Sequence, residues 1–255
     1  LTQFGLPLAF ILGIIGMLYH AYKDEKMAFS VLSLFIMKIK LYIIKLILLL
    51  VSFGYSSTGA FSISRIHYDG GGDWYANKSS IPNLLNFIKN NTNINVDTNE
   101  INVRIGDDSF FKNNFFYITG HGNIKLKPKD IIILREHLIN GAFLHVDDNY
   151  GLDKSFRELV KELFPEKELS LIPKSHDLFH CYYSFENGLP KIHEHDNKPP
   201  QALGIFEEDK LILLYTYESD LGDGWEDKSV HNNPENLRQE ALKMGTNIII
   251  YSMIQ

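Results

Sequence analysis

Two short apolar segments of this sequence end in residues that could perform acid–base or metal chemistry. Residues 142–151 read AFLHVDDNYG, so an apolar run ends in Asp147 and Asp148. Residues 115–122 read FFYITGHG and place His121 between two glycines. An exposed histidine suits proton transfer or metal ligation, and aspartates can position water or bind a metal ion. We therefore take His121, Asp147 and Asp148 as the candidate catalytic residues, and we expect one of the two aspartates to cap the helix that follows.

Both segments are expected to be buried parallel strands. Each is a short apolar run bounded by turn residues, and each is followed by a helical pattern, at 128–139 and at 153–163. Strands and helices that alternate with short connections predict a doubly wound, mostly parallel sheet. Ligands of such sheets bind beyond the carboxyl ends of the strands, so these two strand ends are expected to lie side by side at the site.

A glycine-rich loop follows the first expected strand. Residues 62–68 alternate apolar and polar side chains and run into DGGGDW at residues 69–74. Consecutive glycines allow positive φ angles and a close approach of the backbone to a ligand. The loop lacks the patterns of phosphate-binding loops, and its two aspartates would repel phosphate. The alternative is a flexible turn between a strand and a helix.

Another acidic and glycine-rich strand end, SDLGDGW at residues 219–225, follows an expected hairpin at 202–217. It completes the set of residues that we predict to bind a ligand: Gly70, Gly71, Asp73, Trp74, Gly120, Gly122, Asp220 and Trp225. The tryptophan rings in this set, together with those of Tyr182 and Tyr183, would suit stacking on a sugar.

His176 and His180 are the predicted metal ligands, because residues four apart lie on one face of a helix. The alternative is an amphipathic turn in which both histidines pack beside Leu178 and Phe179. A divalent metal ion is the cofactor that such a site would bind, and the sequence leaves the identity of the metal open.

The other histidine pair and the cysteine favour simpler interpretations. His193 and His195 stand beside acidic residues and are typical of a solvated loop, in which metal binding would be incidental. Cys181 is the only cysteine, so neither an intramolecular disulfide nor a thiolate metal cluster can form. We interpret it as a small buried apolar residue.

Residues 1–60 differ in character from the rest of the chain. Residues 4–22 include no charged side chain, and this length is close to the ~20 residues of a membrane-spanning helix. Residues 37–60 have a lysine-bearing start, an apolar middle and small residues at the end, which is the form of a secretory signal peptide cleaved after Ala60.

Two interpretations of this region remain open. In one, translation starts at Met37 or Met27 and a signal peptide follows. In the other, both segments are transmembrane helices, with the lysines between them in the cytoplasm. Both place residues 61–255 outside the cytoplasmic membrane, as a periplasmic domain that is secreted or anchored to the membrane by the N-terminal segment.

The charge of the second region limits its partners. The first 60 residues carry five lysines against two acidic residues, so with a net charge of −6 for the whole chain residues 61–255 carry −9. Such an acidic domain repels phosphate backbones, which argues against nucleic acid as a partner. An envelope glycan or an envelope protein is the partner that the predicted location implies.

Taken together, the motifs resemble one known family. DGGGDW, TGHG, LREHLINGAFLHVDDNYG, SHDLFHCYYSF and SDLGDGW occur in the same order as in the domain of unknown function 4159 family, over about residues 62–255. That family looks like a member of the class I glutamine amidotransferase-like superfamily. The resemblance implies a three-layer αβα, flavodoxin-like fold, often attached to membrane segments in bacterial envelope proteins, and it implies no established activity.

One departure from amidotransferases matters for the chemistry. Where those enzymes carry a cysteine between glycines at the end of the strand, residues 146–149 here read VDDN, and Cys181 lies elsewhere. Hydrolysis of glutamine through a thioester is therefore not expected, because a shared fold does not imply shared chemistry.

Three functions are compatible with the sequence. The leading hypothesis is a binding or assembly module of the envelope that uses a histidine and aspartate cleft at the strand ends. The alternative is a metal-dependent or carboxylate/histidine-dependent hydrolase of an envelope glycan or peptide. A third is a structural remnant of an amidotransferase-like enzyme.

Overall fold

The computed structural model of the protein describes residues 5–21, 36–40 and 59–255. The chain divides into two compact units, Leu1–Thr58 and Gly59–Gln255. In the first unit, helix α1 spans Gly5–Ala21 and a helical stretch, α2, is described at residues 36–40. Within the described ranges, no helix combines the length and the apolar character that a membrane span requires. Most of the expected signal segment at 37–60 lies outside the described residues.

The second unit is a mixed α/β structure built on a seven-stranded sheet. Its strands are β1 (Ser64–Ile66), β2 (Ile101–Val103), β3 (Phe115–Ile118), β4 (Phe143–Asp147), β5 (Ser170–Leu171), β6 (Gln201–Glu207) and β7 (Lys210–Tyr217). The order is β2-β1-β3-β4-β7-β6-β5, in which β5, β6 and β7 pair antiparallel and the other pairs are parallel. The expected mostly parallel sheet, the β6–β7 hairpin and the neighbouring positions of β3 and β4 are confirmed.

The helices of this unit follow the strands as the sequence pattern indicates. They are α3 (Ser80–Asn91), α4 (Pro128–Ile139), α5 (Asp153–Leu163), α6 (Leu221–Trp225), α7 (Lys228–His231) and α8 (Glu235–Ile254), with 3₁₀ turns at Phe110–Lys112 and Asp177–Phe179. Helix α4 starts with Pro128, whose fixed φ angle suits a first turn. It ends before Gly141, whose φ of +108° lets the chain turn away.

The sheet contributes side chains to two separate hydrophobic clusters. One cluster contains residues of α4 and α5, and the other contains residues of α3, α6 and α8. Successive residues of a strand point to opposite faces. Phe115 and Tyr117 of β3 accordingly belong to the second cluster, and Phe116 and Ile118 belong to the first. Strands β1, β3, β4 and β7 run in parallel, so their carboxyl ends share one edge of the sheet.

The buried Arg65 of β1 ties this edge to the loop that follows. Its guanidinium donates to both carboxylate oxygens of Glu100, at 2.9 and 3.0 Å. It also donates to the carbonyl oxygens of Ala76, at 2.6 Å, and of Asn77, at 3.1 Å. A planar guanidinium with several donors can satisfy all these acceptors at once. Arg65 therefore fixes the path of the chain after the glycine-rich loop.

We predict that Arg65→Ala lowers the free energy of unfolding by about 3–5 kcal/mol, since it leaves the Glu100 carboxylate and two carbonyl groups without their donor. Urea denaturation measures this loss. Lys89→Ala, at an exposed position of α3, is the control and should change stability by less than about 0.5 kcal/mol. Equal stabilities of the two variants would contradict the assigned role of Arg65.

Candidate functional site

The carboxylate of Asp147, the last residue of β4, is fully buried and holds helix α6. Its Oδ1 accepts hydrogen bonds from the Thr216 hydroxyl and the Leu221 N–H, and its Oδ2 accepts one from the Gly222 N–H at 2.7 Å. Burial raises the pKa of Asp147 to about 7, although the hydrogen bonds from Thr216 and Gly222 oppose that rise. Sequence reasoning placed Asp147 among the catalytic residues, whereas the structure gives it a structural position without access to solvent.

Asp148 reaches the start of the next helix but does not cap it, although one aspartate was expected to: the N-cap position of α5 is Leu152, and no side chain caps this helix. Oδ1 of Asp148 accepts a hydrogen bond from the N–H of Leu152, directly before α5, at 3.3 Å. Asp148 is only 5% exposed. Burial, and then the neighbouring carboxylate of Asp153, raise the pKa of Asp148 to about 6. Neither aspartate of the pair therefore projects freely into solvent.

The glycine-rich loop is paired with the segment that follows β3. The backbone groups of Asp69 and Lys125 exchange two hydrogen bonds, and the N–H of Gly72 donates to the carbonyl of Asn123 at 2.9 Å. Gly70 has a φ of +117°, and a Cβ at this position would lie 2.7 Å from the backbone nitrogen of Lys125. Gly70 and Gly72 are thus required by this close pairing of two backbone segments, whereas a Cβ at Gly71 would have no neighbour within 4 Å.

His121 and Asp73 form an exposed pair at this edge. Nδ1 of His121 lies 3.1 Å from Oδ2 of Asp73, and the backbone N–H of His121 donates to Oδ1 of the same carboxylate. The His121 side chain is 55% exposed. A carboxylate that orients an imidazole is a common arrangement for proton transfer. Both residues were predicted to belong to the site, but their contact was not.

Further contacts extend this pair along the edge. A Cβ at Gly151 would lie 3.6 Å from the backbone nitrogen of Gly122, so the loops after β3 and β4 touch. The Tyr150 ring stacks on the His195 ring with centroids 4.8 Å apart. We call the group formed by Trp74, Asp73, His121, Tyr150 and His195 the edge surface. Neighbouring members of the group are either adjacent or in contact, or they are joined through the two touching loops.

Backbone strain is concentrated beside the edge surface. Asn77, Tyr150, Glu218 and Asp220 have φ angles between +57° and +69°, a region that non-glycine residues rarely adopt. Each such residue costs of order 1 kcal/mol and persists because its surroundings enforce it. Strain of this kind is frequent at binding and active sites.

The segment 190–198 folds against the turn that follows β7. Nζ of Lys191 lies 2.7 Å from the carboxylate of Glu218. The Ile192 N–H donates to the Ser219 carbonyl at 2.9 Å, and the Ser219 hydroxyl donates to the Pro190 carbonyl at 2.6 Å. These contacts carry the two histidines of the segment to the edge of the sheet.

The interpretation of His193 and His195 as members of a solvated loop is therefore wrong for His195, whereas His193, whose side chain is 46% exposed, does lie in such a loop. The His195 side chain is only 19% exposed, and its Nε2 lies 2.6 Å from Oδ2 of the fully buried Asp220. Although this distance is short, neither oxygen of Asp220 nor Nε2 of His195 makes a hydrogen bond in the described part of the chain. Burial, followed by the charges of Asp147 and Asp223, raises the pKa of Asp220 to about 9.

A second histidine and carboxylate group lies next to the first. Oδ1 of Asp223 accepts a hydrogen bond from Nδ2 of Asn77 at 3.0 Å, and Oδ2 lies 3.1 Å from Nδ1 of His193. Nε2 of His231 lies 3.5 Å from Asp223 and 2.8 Å from Glu226. Ligand atoms lie within 4.8 Å of one another in the set His193, His195 and Asp220, and also in the set His193, Asp223 and His231, so each set could hold a metal ion.

His176 and His180 occupy the two ends of a 3₁₀ turn, not one face of a helix. Asp177–Phe179 is too short to bring residues four apart onto one side. Nδ1 of His176 accepts the Leu178 N–H, and the two nitrogens of His180 lie 2.8 Å from the Lys174 carbonyl and 3.2 Å from the Ser184 hydroxyl. Neither histidine belongs to a metal-capable set among the described residues.

Two residues whose rings were predicted to stack on a sugar do not belong to the edge surface: Trp225 is buried, and Tyr182 lies away from the edge. Trp225 is 1% exposed, and its indole N–H donates to the Ala241 carbonyl, so no face of its ring is open to a sugar. Tyr182 is 48% exposed but donates to the Asn91 carbonyl at the end of α3. The edge surface therefore retains Trp74 and gains Tyr150 as its aromatic members.

Sequence reasoning missed His193, His195, His231 and Tyr150 as site residues. One signal was present, because His193-Glu194-His195 puts two histidines two positions apart, and such residues share a side in an extended segment. No comparable pattern pointed to His231 or to the strained Tyr150.

The family resemblance is confirmed by comparison with known proteins. The family described as domain of unknown function (DUF4159) matches residues 62–253, about three quarters of the chain. The chain belongs to this family. A comparison with curated proteins gives no match.

We predict that Asp147→Ala lowers the free energy of unfolding by about 3 kcal/mol or more, because two backbone N–H groups and the hydroxyls of Thr216 and Tyr117 lose their buried acceptor. Urea denaturation monitored by circular dichroism gives the value. Asp108→Ala removes an exposed carboxylate and should be nearly neutral. A neutral Asp147→Ala would show that helix α6 does not depend on this carboxylate.

Asp148 is expected to make stability depend on pH. Its pKa of about 6 exceeds the unfolded value of about 3.8, so the folded state keeps a proton that the unfolded chain releases. Its contribution is full below about pH 4 and is lost as the pH rises through about 6.

Asp148→Asn keeps an acceptor for the Leu152 N–H and removes this titration. Above about pH 6 the variant should exceed the wild type in stability by on the order of 1–3 kcal/mol, and below about pH 4 the two should be equal. Urea denaturation from pH 4 to pH 8 tests this. A difference that does not change with pH would contradict the assignment.

Proposed function

We propose that residues 59–255 are a binding module that uses the edge surface to hold an envelope glycan. The observation that carries this proposal is that some polar groups of the edge are buried and bonded within the fold, whereas others are exposed. The carboxylate of Asp147 is buried and bonded to the start of α6. His121, Trp74 and Tyr150, in contrast, remain at the surface in connected loops. Aromatic faces beside polar groups are suited to the amphipathic surface of a sugar.

Several features of the surface support a glycan as ligand. Tyr75 and Tyr150 are 55% and 51% exposed, and Trp74 is half-buried with its ring stacked on His67 at 4.0 Å. Grooves border the glycine-rich loop, one beside Gly70 and Glu158 and another beside His67 and Lys127. Rigid rings and short polar side chains bind at a low cost in conformational entropy.

The proposal includes the finer features that the sequence suggested. The fold would be the three-layer, flavodoxin-like fold of the amidotransferase-like superfamily, supported by the mostly parallel sheet and its two hydrophobic clusters. The domain would act outside the cytoplasmic membrane, exported or anchored by residues 1–60, with an envelope glycan or protein as partner and no nucleic acid.

The domain would not be a glutaminase. Cys181 lies beside the 3₁₀ turn, its Sγ contacts the Asn247 carbonyl at 3.4 Å, and burial raises the pKa of its thiol to about 11. A nucleophilic cysteine needs a lowered thiol pKa and a neighbouring base.

Hydrolysis of the same glycan, or of an envelope peptide, is the second candidate function. It is favoured by the histidine and carboxylate groups next to Tyr150, since a metal ion there would supply activated water. The exposed His121, oriented by Asp73, would then exchange a proton with the substrate. Release of reducing sugar ends or of new amino groups, abolished by His121→Ala, would distinguish hydrolysis from binding alone.

Binding to purified peptidoglycan tests the main proposal. Tyr150→Ala and His121→Ala should each weaken retention of the full chain by about 3–10-fold, because each removes a contact worth on the order of 1 kcal/mol. Tyr182→Ala is the matched control, since it removes a similarly exposed ring away from the edge. If the wild type is not retained, or if all three variants behave alike, the edge surface is not a glycan site.

A further inference from the structure

Asp220 is a buried carboxylate without a hydrogen-bond donor in the described part of the chain. Its side chain is 0% exposed, and neither of its oxygens receives a hydrogen bond. Nε2 of His195, 2.6 Å from Oδ2, is also without a hydrogen bond. Buried charged groups are normally paired or bind metal ions, because they have lost their hydration. A cation bound to these atoms would satisfy them.

His193 completes a set of three ligands. One ligand atom from each of His193, His195 and Asp220 lies within 4.8 Å of the other two. Nδ1 of His193 is 3.1 Å from Oδ2 of Asp223, which orients the ring and leaves Nε2 available to a cation. A histidine that binds a metal through one nitrogen usually donates through the other to a carboxylate.

The surrounding charge also favours a cation at this position. The carboxylates of Asp147, Asp148 and Asp223 are close enough to Asp220 to act on it electrostatically, and Lys191 opposes them. The Nζ of Lys191 is already bonded to Glu218 at 2.7 Å. A divalent ion would offset the repulsion among these acidic groups, since the charge of the ion dominates such a site.

We propose that His193, His195 and Asp220 form a binding site for a divalent transition metal ion, with zinc as the ion that fits best, and that Asp223 positions His193. Two imidazoles and one carboxylate are a frequent ligand set of zinc sites that keep a fourth position open. Calcium and magnesium prefer ligands that are all oxygen. The site does not rest on the proposed glycan binding.

The neighbouring set provides a matched comparison. Asp223 and His231 already have hydrogen-bond or ion-pair partners in Asn77 and Glu226. Because these side chains already have partners within the protein, a bound cation would stabilise this set less than the first set. The preference for the first set is therefore a prediction that substitution of single histidines can test.

Isothermal titration of the full chain, freed of metal by a chelator, with Zn²⁺ tests the site. One Zn²⁺ per chain should bind, and Mg²⁺ should not compete. His195→Ala and Asp220→Asn should weaken binding by more than about 100-fold, and Asp223→Asn by about 10–100-fold. His231→Ala and His180→Ala, which remove histidines outside the proposed ligands, should leave the affinity within about threefold.

Thermal unfolding separates lost ligands from lost structure. Zn²⁺ should raise the unfolding temperature of the wild type but not of His195→Ala, because a ligand stabilises only the state that binds it. His193→Ala replaces a side chain that is 46% exposed, so it serves if Asp220→Asn does not fold. Absence of saturable Zn²⁺ binding, or binding that survives His195→Ala and is lost in His180→Ala or His231→Ala, would overturn the proposal.

Discussion

The buried carboxylate of Asp147 joins the parts of the molecule that carry the candidate site. It accepts hydrogen bonds from Thr216 of β7 and from the first N–H groups of α6, so β4, β7 and α6 meet at one side chain. A buried carboxylate is costly unless its oxygens are satisfied, and the free N–H groups of a helix start need an acceptor. Because each side satisfies the other, α6 has to begin at this point. The positions of Asp220, directly before α6, and of Asp223 within it follow from that constraint.

Close approach of backbone segments is the second requirement of this edge. A Cβ at Gly222 would lie 2.5 Å from Nδ2 of Asn77, and a Cβ at Gly224 would lie 2.3 Å from Cβ of Ala241. Glycines let α6 lie against the loop after β1 and against α8, while Asp220 accepts a left-handed conformation at its start. The edge is therefore tightly packed beneath, and the exposed side chains of the candidate site lie on the loops that cover it.

The glycan surface and the metal site that we propose are neighbours that share His195 and otherwise depend on different residues. The ring of Tyr150, which belongs to the edge surface, stacks on the ring of His195, and His195 in turn contacts Asp220. A metal ion held there would have two uses, since it could coordinate a hydroxyl group of a bound glycan or activate water for hydrolysis. The fold is compatible with both, because function resides in the site and not in the architecture.

Much of the framework was predictable from the sequence, because local patterns report local structure. The helical period over 153–163 gave the bounds of α5, and short apolar runs gave β3, β4 and the β6–β7 hairpin. The strand ends, and hence the edge that holds His121, Asp73 and Asp220, followed from the rule that parallel strands share one carboxyl edge. Only the tertiary structure decided which of these groups are buried. It enclosed Asp147 and Trp225, brought His193 and His195 to Asp220, and joined Asn77 to Asp223 across 146 positions of the chain. Burial and hydrogen bonding between distant segments depend on how the elements pack, and no local pattern of residues carries that information.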